Sequence, residues 1–406
     1  MDVAIVDSDV AYPPTSGKRL RTLNLMLQMA KRHQIHYLAR GQEDSNQYDQ
    51  AREYLSRFGI RTYIVHDPIP RKQGLFFYVR LLGNLLSPLP YSVASHHSET
   101  FRRAVLDYAA QHRIDLWQVE WMVYLYVLPS PRVGTVVQAH NVDSLIWQRY
   151  YEAERNPLKR WYIYQQWRKF FAFERRAFQI PDQIVAVSAA DAALAREWYG
   201  VSHIEVVDNG VDVAYFQDVR PASDSKAILF LGSLDWRPNL DALTVLLDDI
   251  FPMVRQRIPD ARLLLVGRLP PASLRRRVQG IDGVELHADV PDVRPFLAAS
   301  AVMAVPLRIG GGSRLKILEA LAAGLPVVST RVGAEGLALR PGVDLTIADT
   351  PFDQAMALID CLERPEAARA MAEQGRQSVV SQYDWASLAN RLERVWEKAR
   401  LASSPS

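Results

Sequence analysis

A chain of 406 residues that is 49% hydrophobic and 23% charged has the make-up of a folded globular protein, long enough for two domains of roughly 200 residues each. A net charge of +3 is too small to point to nucleic acid, and no apolar run reaches the ~18 residues of a membrane span. The single cysteine, Cys361, excludes an internal disulfide framework and fits a reducing, cytoplasmic compartment, while the opening MDVAIVD places acids where a secretory leader needs basic residues.

Short apolar runs alternate with helical periodicity along the chain, which is the α/β pattern. Residues 2–7 predict a strand. A loop with Pro13, Pro14 and Gly17 follows, then a helix with Leu20, Leu23, Leu27 and Ala30 on one face. The loop is no P-loop, because Tyr12 stands where the first glycine is required and Arg19 where Ser or Thr is needed. Asp7-Ser8-Asp9 invites a metal reading, but at the end of a first strand these are turn and cap residues, and no metal is expected. Further strands are predicted at 35–39, 61–65, 115–119, 133–138 and 183–187. His140 and Asn141 in VVQAHNVDS come directly after one of them, where an imidazole reads either as structural or as part of a site. Asp143 follows as a secondary candidate.

Two stretches combine cations with aromatic residues. Residues 70–93 contain Arg71, Lys72 and Arg80 and no acids; residues 147–180 contain eight basic and three acidic residues beside Trp147, Trp161, Trp167, Phe170 and Phe171. Each reads either as a helix packed on its domain or as a face for an anionic membrane surface. Residues 208–226 are rich in turn formers and predict the interdomain connection, with Asn209 and Gly210 in a left-handed turn. The domains are therefore expected at 1–215 and 216–385, with 386–406 a C-terminal helix able to pack back on the first domain, and a polar tail. The second series of strands is predicted at 227–233, 261–266, 283–287, 301–305, 326–330 and 343–347. Two doubly wound, Rossmann-like domains facing each other across a cleft would bring the carboxyl ends of the strands near it.

The densest chemistry lies in GGGSRLKILEALAAGLPVVST, residues 310–330. Gly310, Gly311 and Gly312 let an anion approach the backbone N–H groups that open a helix, where unpaired donors and the positive end of the dipole point outward. Ser313 adds a hydroxyl, and Arg314 and Lys316 add full charges that suit a diphosphate. Leu315, Leu318, Leu321 and Ala322 face the core in this periodicity, leaving Glu319 to look back toward the ligand and accept two ribose hydroxyls.

This segment resembles the donor-site signature of family-four retaining glycosyltransferases of the GT-B fold, in which a glycine-rich turn leads into E-A-hydrophobic-A-x-G-x-P-V-V. Glu319, Ala320, Leu321, Ala322, Ala323, Gly324, Leu325, Pro326, Val327 and Val328 follow that pattern. Gly311 departs from it, since many members carry a second glutamate there. The resemblance extends over nearly the whole chain. It implies a sugar contact for His140, with Asn141 and Gly17 on the acceptor side. It places Gly232 and Ser233 in a phosphate-facing turn, where many members carry an arginine and a lysine that this chain would replace with Arg314 and Lys316. The loop 287–293, with Asp289 in it, is where similar enzymes hold the nucleotide base.

The expected protein is a cytoplasmic, metal-independent glycosyltransferase without a cofactor, at most peripheral at the inner face of the membrane. It would move a sugar from a nucleotide diphosphate sugar to a hydroxyl acceptor, lipid-linked or not, in polysaccharide or glycoconjugate synthesis. The alternatives are a noncatalytic nucleotide-sugar-binding partner of a synthesis complex, for which Gly311 speaks, or an epimerase or phosphorylase on the same fold.

Overall fold

The computed structural model describes residues 1–403 apart from 43–44, 71–72, 131–132, 223 and 310–314. The chain divides into two compact units, Met1–Asp208 with Leu388–Ser406, and Asn209–Ser387. No helix among the described residues is long and apolar enough to cross a membrane.

In the first unit β1 (Asp2–Asp7), β2 (Gln34–Gly41), β3 (Arg61–His66), β4 (Leu116–Val119), β5 (Gly134–Ala139), β6 (Gln183–Ala186) and β7 (Ile204–Val206) form one sheet in the order β3-β2-β1-β4-β5-β6-β7. Every pairing is parallel. Val3 to Val6 on β1, all of β4 and all of β5 are buried, as a sheet covered on both faces requires. The three-residue β7 has no counterpart in the sequence reading. From Leu388 on, the last helix, Trp385–Ala402, belongs to this unit, where the buried Trp396 donates from Nε1 to Gln118 Oε1 at 2.7 Å.

The first helix, Gly17–Met29, is capped by Ser16 and presents a different face from the one its apolar spacing predicts. Leu23, Leu25, Met26 and Met29 are buried together with Arg21 and Thr22, whereas Leu20 and Leu27 are only half-buried. Hydrogen bonding accounts for the rotation. Arg21 donates to the carbonyls of Val207, at 2.7 Å, and Asp208, and Thr22 donates to Glu120 at 2.7 Å.

The second unit contains β8 (Ala227–Leu231), β9 (Arg262–Gly267), β10 (Val284–Ala288), β11 (Val302–Val305), β12 (Val327–Ser329) and β13 (Thr346–Ile347), ordered β10-β9-β8-β11-β12-β13 and again wholly parallel. Asn209 and Gly210 do not form the left-handed turn expected of them, since neither has a positive φ. The reason lies one residue on. Val211 donates its N–H to the Tyr383 carbonyl at 2.9 Å and forms a parallel bridge with Asp384, which holds the backbone there extended.

Both sheets reverse winding beside their first strand, between β1 and β4 and between β8 and β11. Doubly wound sheets bind ligands outside the carboxyl ends of the strands at such switch points.

Candidate active site

In the second unit the switch point opens at Gly232, immediately after β8. Gly267, which ends β9, approaches so closely that a Cβ on it would lie 1.8 Å from the Gly232 carbonyl oxygen. A Cβ on Gly232 would lie 2.8 Å from Asn239 Nδ2 and 2.9 Å from Lys316 Nζ, so a side chain there would displace the lysine. Lys316, in the helix Leu315–Ala322, donates to Asn239 Oδ1 at 3.0 Å and stands 5.0 Å from the centre of the Phe230 ring. Asn239 is itself buried and fixed, its Nδ2 donating to the Ser233 carbonyl at 2.7 Å. The ammonium is thus positioned at the end of the strand beside the switch point. Ser233 turns its hydroxyl to Asp235 Oδ1 at 2.7 Å.

Glu319 lies one turn beyond Lys316 on a helix anchored by Ile317, Leu318, Ala320, Leu321 and Ala322. Its half-buried carboxyl has no hydrogen-bond partner among the described residues. Burial pushes its pKa up to about 7, against the pull of Lys316. A carboxyl taken from water without compensating donors is costly, and such groups concentrate at functional sites. Gly310, Gly311, Gly312, Ser313 and Arg314 lie outside the described residues.

Asp289, just past β10, adopts a left-handed φ of 54°, as does the exposed Leu269 after β9. Asp289 Oδ1 accepts from Leu269 N at 2.9 Å and its own N–H donates to the Gly267 carbonyl at 2.9 Å, so it braces the two loops against each other. Strained non-glycine residues of this kind cluster at ligand sites.

In the first unit the residues at the strand ends form one polar network. Asp7, the last residue of β1, is ion-paired with Lys18, whose Nζ also donates to Ser8 Oγ at 2.9 Å. Tyr37 OH lies 3.1 Å from Asp7 Oδ2. Asp9 takes Arg19 in a two-pronged pair at 2.7 and 2.8 Å. Both acids of the Asp7-Ser8-Asp9 element are therefore matched by cations, and no cluster of three or more metal-ligating side chains occurs among the described residues.

Glu120, directly after β4, accepts from Gln118 Nε2 at 2.6 Å, Thr22 Oγ1 at 2.7 Å and His140 Nε2 at 3.2 Å. Burial alone would raise this carboxyl, but His140, Lys18 and Thr22 together hold it down at about 2. Burial lowers the pKa of His140. The pair that results is a carboxylate and a neutral imidazole that gives its Nε2–H to Glu120. Its other nitrogen, Nδ1, then carries a lone pair and has no partner among the described residues.

The loop that carries His140 is held from below. The helix Asp143–Ala153 begins at Val142, which has no capping oxygen, and Glu174 substitutes by accepting from the backbone N–H groups of Asp143 at 2.8 Å and Ser144 at 3.0 Å. Tyr199 OH also donates to Glu174, at 2.7 Å. Burial, then the nearby Asp143, pushes Glu174 up to about 7; burial pushes Asp143 up to about 6, although Trp121 Nε1 donates to it at 3.0 Å. Asn141 is exposed beside this loop, and Gly17 is the first residue of its helix. Sequence reasoning missed Glu120, Lys18, Asn239 and Glu174. Only Glu120 carried a signal, an acid directly after a buried strand in the position that His140 occupies after β5.

Two doubly wound units with charged and polar side chains gathered at their switch points define the class of α/β proteins that bind ligands at strand ends. The family is narrower. Residues 17–215 match the model of Glycosyltransferase Family 4 and residues 225–364 that of Glycosyl transferases group 1, and the chain belongs to these glycosyltransferases, of GT-B fold. It is 30% identical over 257 residues to MMP alpha-(1->4)-mannosyltransferase of Mycolicibacterium hassiacum, covering 60% of each chain. It is 32% identical over 220 residues to phosphatidyl-myo-inositol mannosyltransferase of Mycobacterium tuberculosis, covering 50% of this chain and 57% of that one. The match thus spans somewhat over half the length of these relatives. HepE of Anabaena, solved in complex with UDP and glucose, shares the fold with a TM-score of 0.67 at 14% identity, over 98% of this chain and 99% of that one.

Proposed function

We propose that this chain is a retaining, metal-independent glycosyltransferase that moves a hexose from a nucleotide diphosphate sugar to a hydroxyl acceptor in polysaccharide or glycoconjugate synthesis. The observation that carries the reading is the pairing of Lys316, fixed beside Gly232, with the partnerless carboxyl of Glu319 one turn away. A cation held at a strand end suits a diphosphate, and a carboxylate without donors suits the two hydroxyls of a ribose. The mannosyltransferase relatives and the UDP and glucose bound by HepE favour a hexose carried on a nucleoside diphosphate.

As the glycosidic bond breaks, the leaving diphosphate gains negative charge and the anomeric carbon becomes oxocarbenium-like. Lys316, with Arg314 and the backbone donors expected at 310–313, would stabilise that charge, and losing one preorganised donor of this sort typically costs about 2.7–4 kcal/mol of barrier. His140 is assigned to the sugar, accepting a hydroxyl proton at Nδ1 because Nε2 is engaged by Glu120. Asn141 and Gly17 are assigned to the acceptor side, and Asp289 to the loop that receives the base. Retention follows the family's front-face route, in which the departing phosphate oxygen takes the acceptor's proton. A lipid-linked acceptor would bring the enzyme to the inner face of the membrane.

A thermal-shift panel of nucleoside diphosphates and their sugars tests the reading. At one hundred times its dissociation constant the right donor should stabilise the protein by about 2.7 kcal/mol. Turnover should then require that donor and a hydroxyl acceptor, with the anomeric configuration retained. A panel without any shift, or binding without turnover by the purified chain, would argue against it.

A further inference from the structure

The helix Leu75–Asn84 of the first unit presents its apolar side chains to solvent. Leu75, Phe76, Tyr78, Val79 and Leu82 are all exposed, Phe76 to 80%, and Leu86 just beyond the helix to 94%. Leu75, Val79, Leu82 and Leu86 recur at i, i+4, i+7 and i+11, so they line one stripe. The one buried side chain of the helix is polar: Asn84 donates to the Leu89 carbonyl at 3.0 Å and accepts from Gln166 at 3.1 Å. Lys169 ties down the carbonyls of Asn84 and Leu85 at 2.6 and 3.2 Å, and Arg80 reaches Tyr91 OH at 3.3 Å. The helix is fastened by polar contacts at its C-terminal end while its greasy stripe stays uncovered. An exposed apolar patch of this kind marks an interaction surface.

Charge selects the occupant. Residues 68–98 hold Arg71, Lys72 and Arg80 and no Asp or Glu. The neighbouring helix Pro157–Ala177 holds six Lys and Arg against one acid, Glu174, which is buried. In that helix Phe170 is buried and Phe171 and Phe173 pack against the core half-buried, with Leu158 and Trp161 left exposed at its start. A second copy of this chain would bring like charges together. An anionic bilayer offers phosphates to the cations and an acyl boundary to the leucines, each nearby cation contributing about 1 kcal/mol.

We propose that the helix Leu75–Asn84 is a membrane-docking face that seats Leu75, Phe76, Val79, Leu82 and Leu86 in the boundary region of an anionic phospholipid bilayer. The docking extends the reading of the protein as a transferase for lipid-linked acceptors. A vesicle assay needs neither donor nor acceptor, so its failure would leave the transferase reading standing.

The test is co-sedimentation of the full chain with phosphatidylcholine vesicles with and without phosphatidylglycerol. The protein should bind the anionic vesicles and show little affinity for the neutral ones. The double substitution Phe76→Ser with Leu82→Ser should lower partitioning about tenfold or more while leaving the melting temperature and nucleotide binding unchanged. Leu86→Glu, outside the helix, should weaken binding in the same direction should the double variant fold poorly. The proposal is overturned if the unaltered protein ignores anionic vesicles, binds both vesicle types equally, or binds as well with Leu86→Glu as without it. It is equally overturned if light scattering shows a dimer that these substitutions convert to monomer, for the face would then belong to a second copy.

Discussion

Replacing Glu319 with glutamine should move stability and ligand binding in opposite directions. The carboxyl titrates near 7 in the folded protein against an ordinary value of 4.5, with burial as the main cause. Between these two values the folded state binds the extra proton, so stability falls as the pH rises from 4.5 to 7 and stays low above it. At about 1.36 kcal/mol per pKa unit the loss is at most about 3 kcal/mol. Glu319→Gln keeps the shape without the charge, so the unliganded variant should be more stable than the parent at pH 8, by about 1–3 kcal/mol, and by less than about 1 kcal/mol at pH 5. Binding should go the other way. Charge-assisted bonds to two ribose hydroxyls contribute roughly 1.5–3 kcal/mol, so nucleoside diphosphate affinity should drop about tenfold or more. Free pyrophosphate, which has no ribose, should bind as before. For the parent, affinity for a nucleotide diphosphate sugar should rise with pH through 7 as the carboxyl ionises. Thermal melts at the two pH values and calorimetry with both ligands decide the matter. Equal weakening of both ligands would make Glu319 a support for the helix or for Lys316, and a variant destabilised at pH 8 would refute the argument from burial.

Lys316→Ala should lower turnover by about a hundredfold or more, as loss of a preorganised donor does, and far more than it lowers stability; unchanged kinetics would remove Lys316 from the site. Glu120→Gln and His140→Ala should each reduce turnover about tenfold or more, and the double variant should lose little beyond the worse of the two, because Glu120 acts through the imidazole. Fully additive losses would separate the two residues. Glu174→Ala removes the acceptor for two backbone N–H groups and should cost about 1–3 kcal/mol, read as a lower midpoint in denaturant; an unchanged midpoint would mean that water replaces the cap. Activity should survive EDTA, and a loss restored by Mg²⁺ or Mn²⁺ would bring Asp7 and Asp9 back as metal ligands.

Strand positions and the α/β class were legible because a strand buried on both faces must be apolar throughout, as AILFL at 227–231 and LLLVG at 263–267 are. The three residues of β7 are too few to carry such a run. That Lys316 and Glu319 share one helix was legible because helical periodicity is a local pattern, written in consecutive residues. What only the tertiary structure decided are the relations between distant residues. Parallel pairing of β1, β4 and β5 brings Thr22, Gln118, Glu120 and His140 into one network, and no periodicity in a single segment encodes that meeting. The same holds for the first helix, whose apolar spacing favours Leu20 and Leu27 but whose rotation is set by where Arg21 and Thr22 find acceptors. It holds again for 75–86, since an apolar stripe has the same sequence whether a neighbour covers it or solvent does. The sequence by itself therefore determined the sheet-and-helix order and the helix that carries Lys316 and Glu319, because both are local. Burial and polar pairing were decided by the fold, because each depends on what the rest of the chain brings alongside.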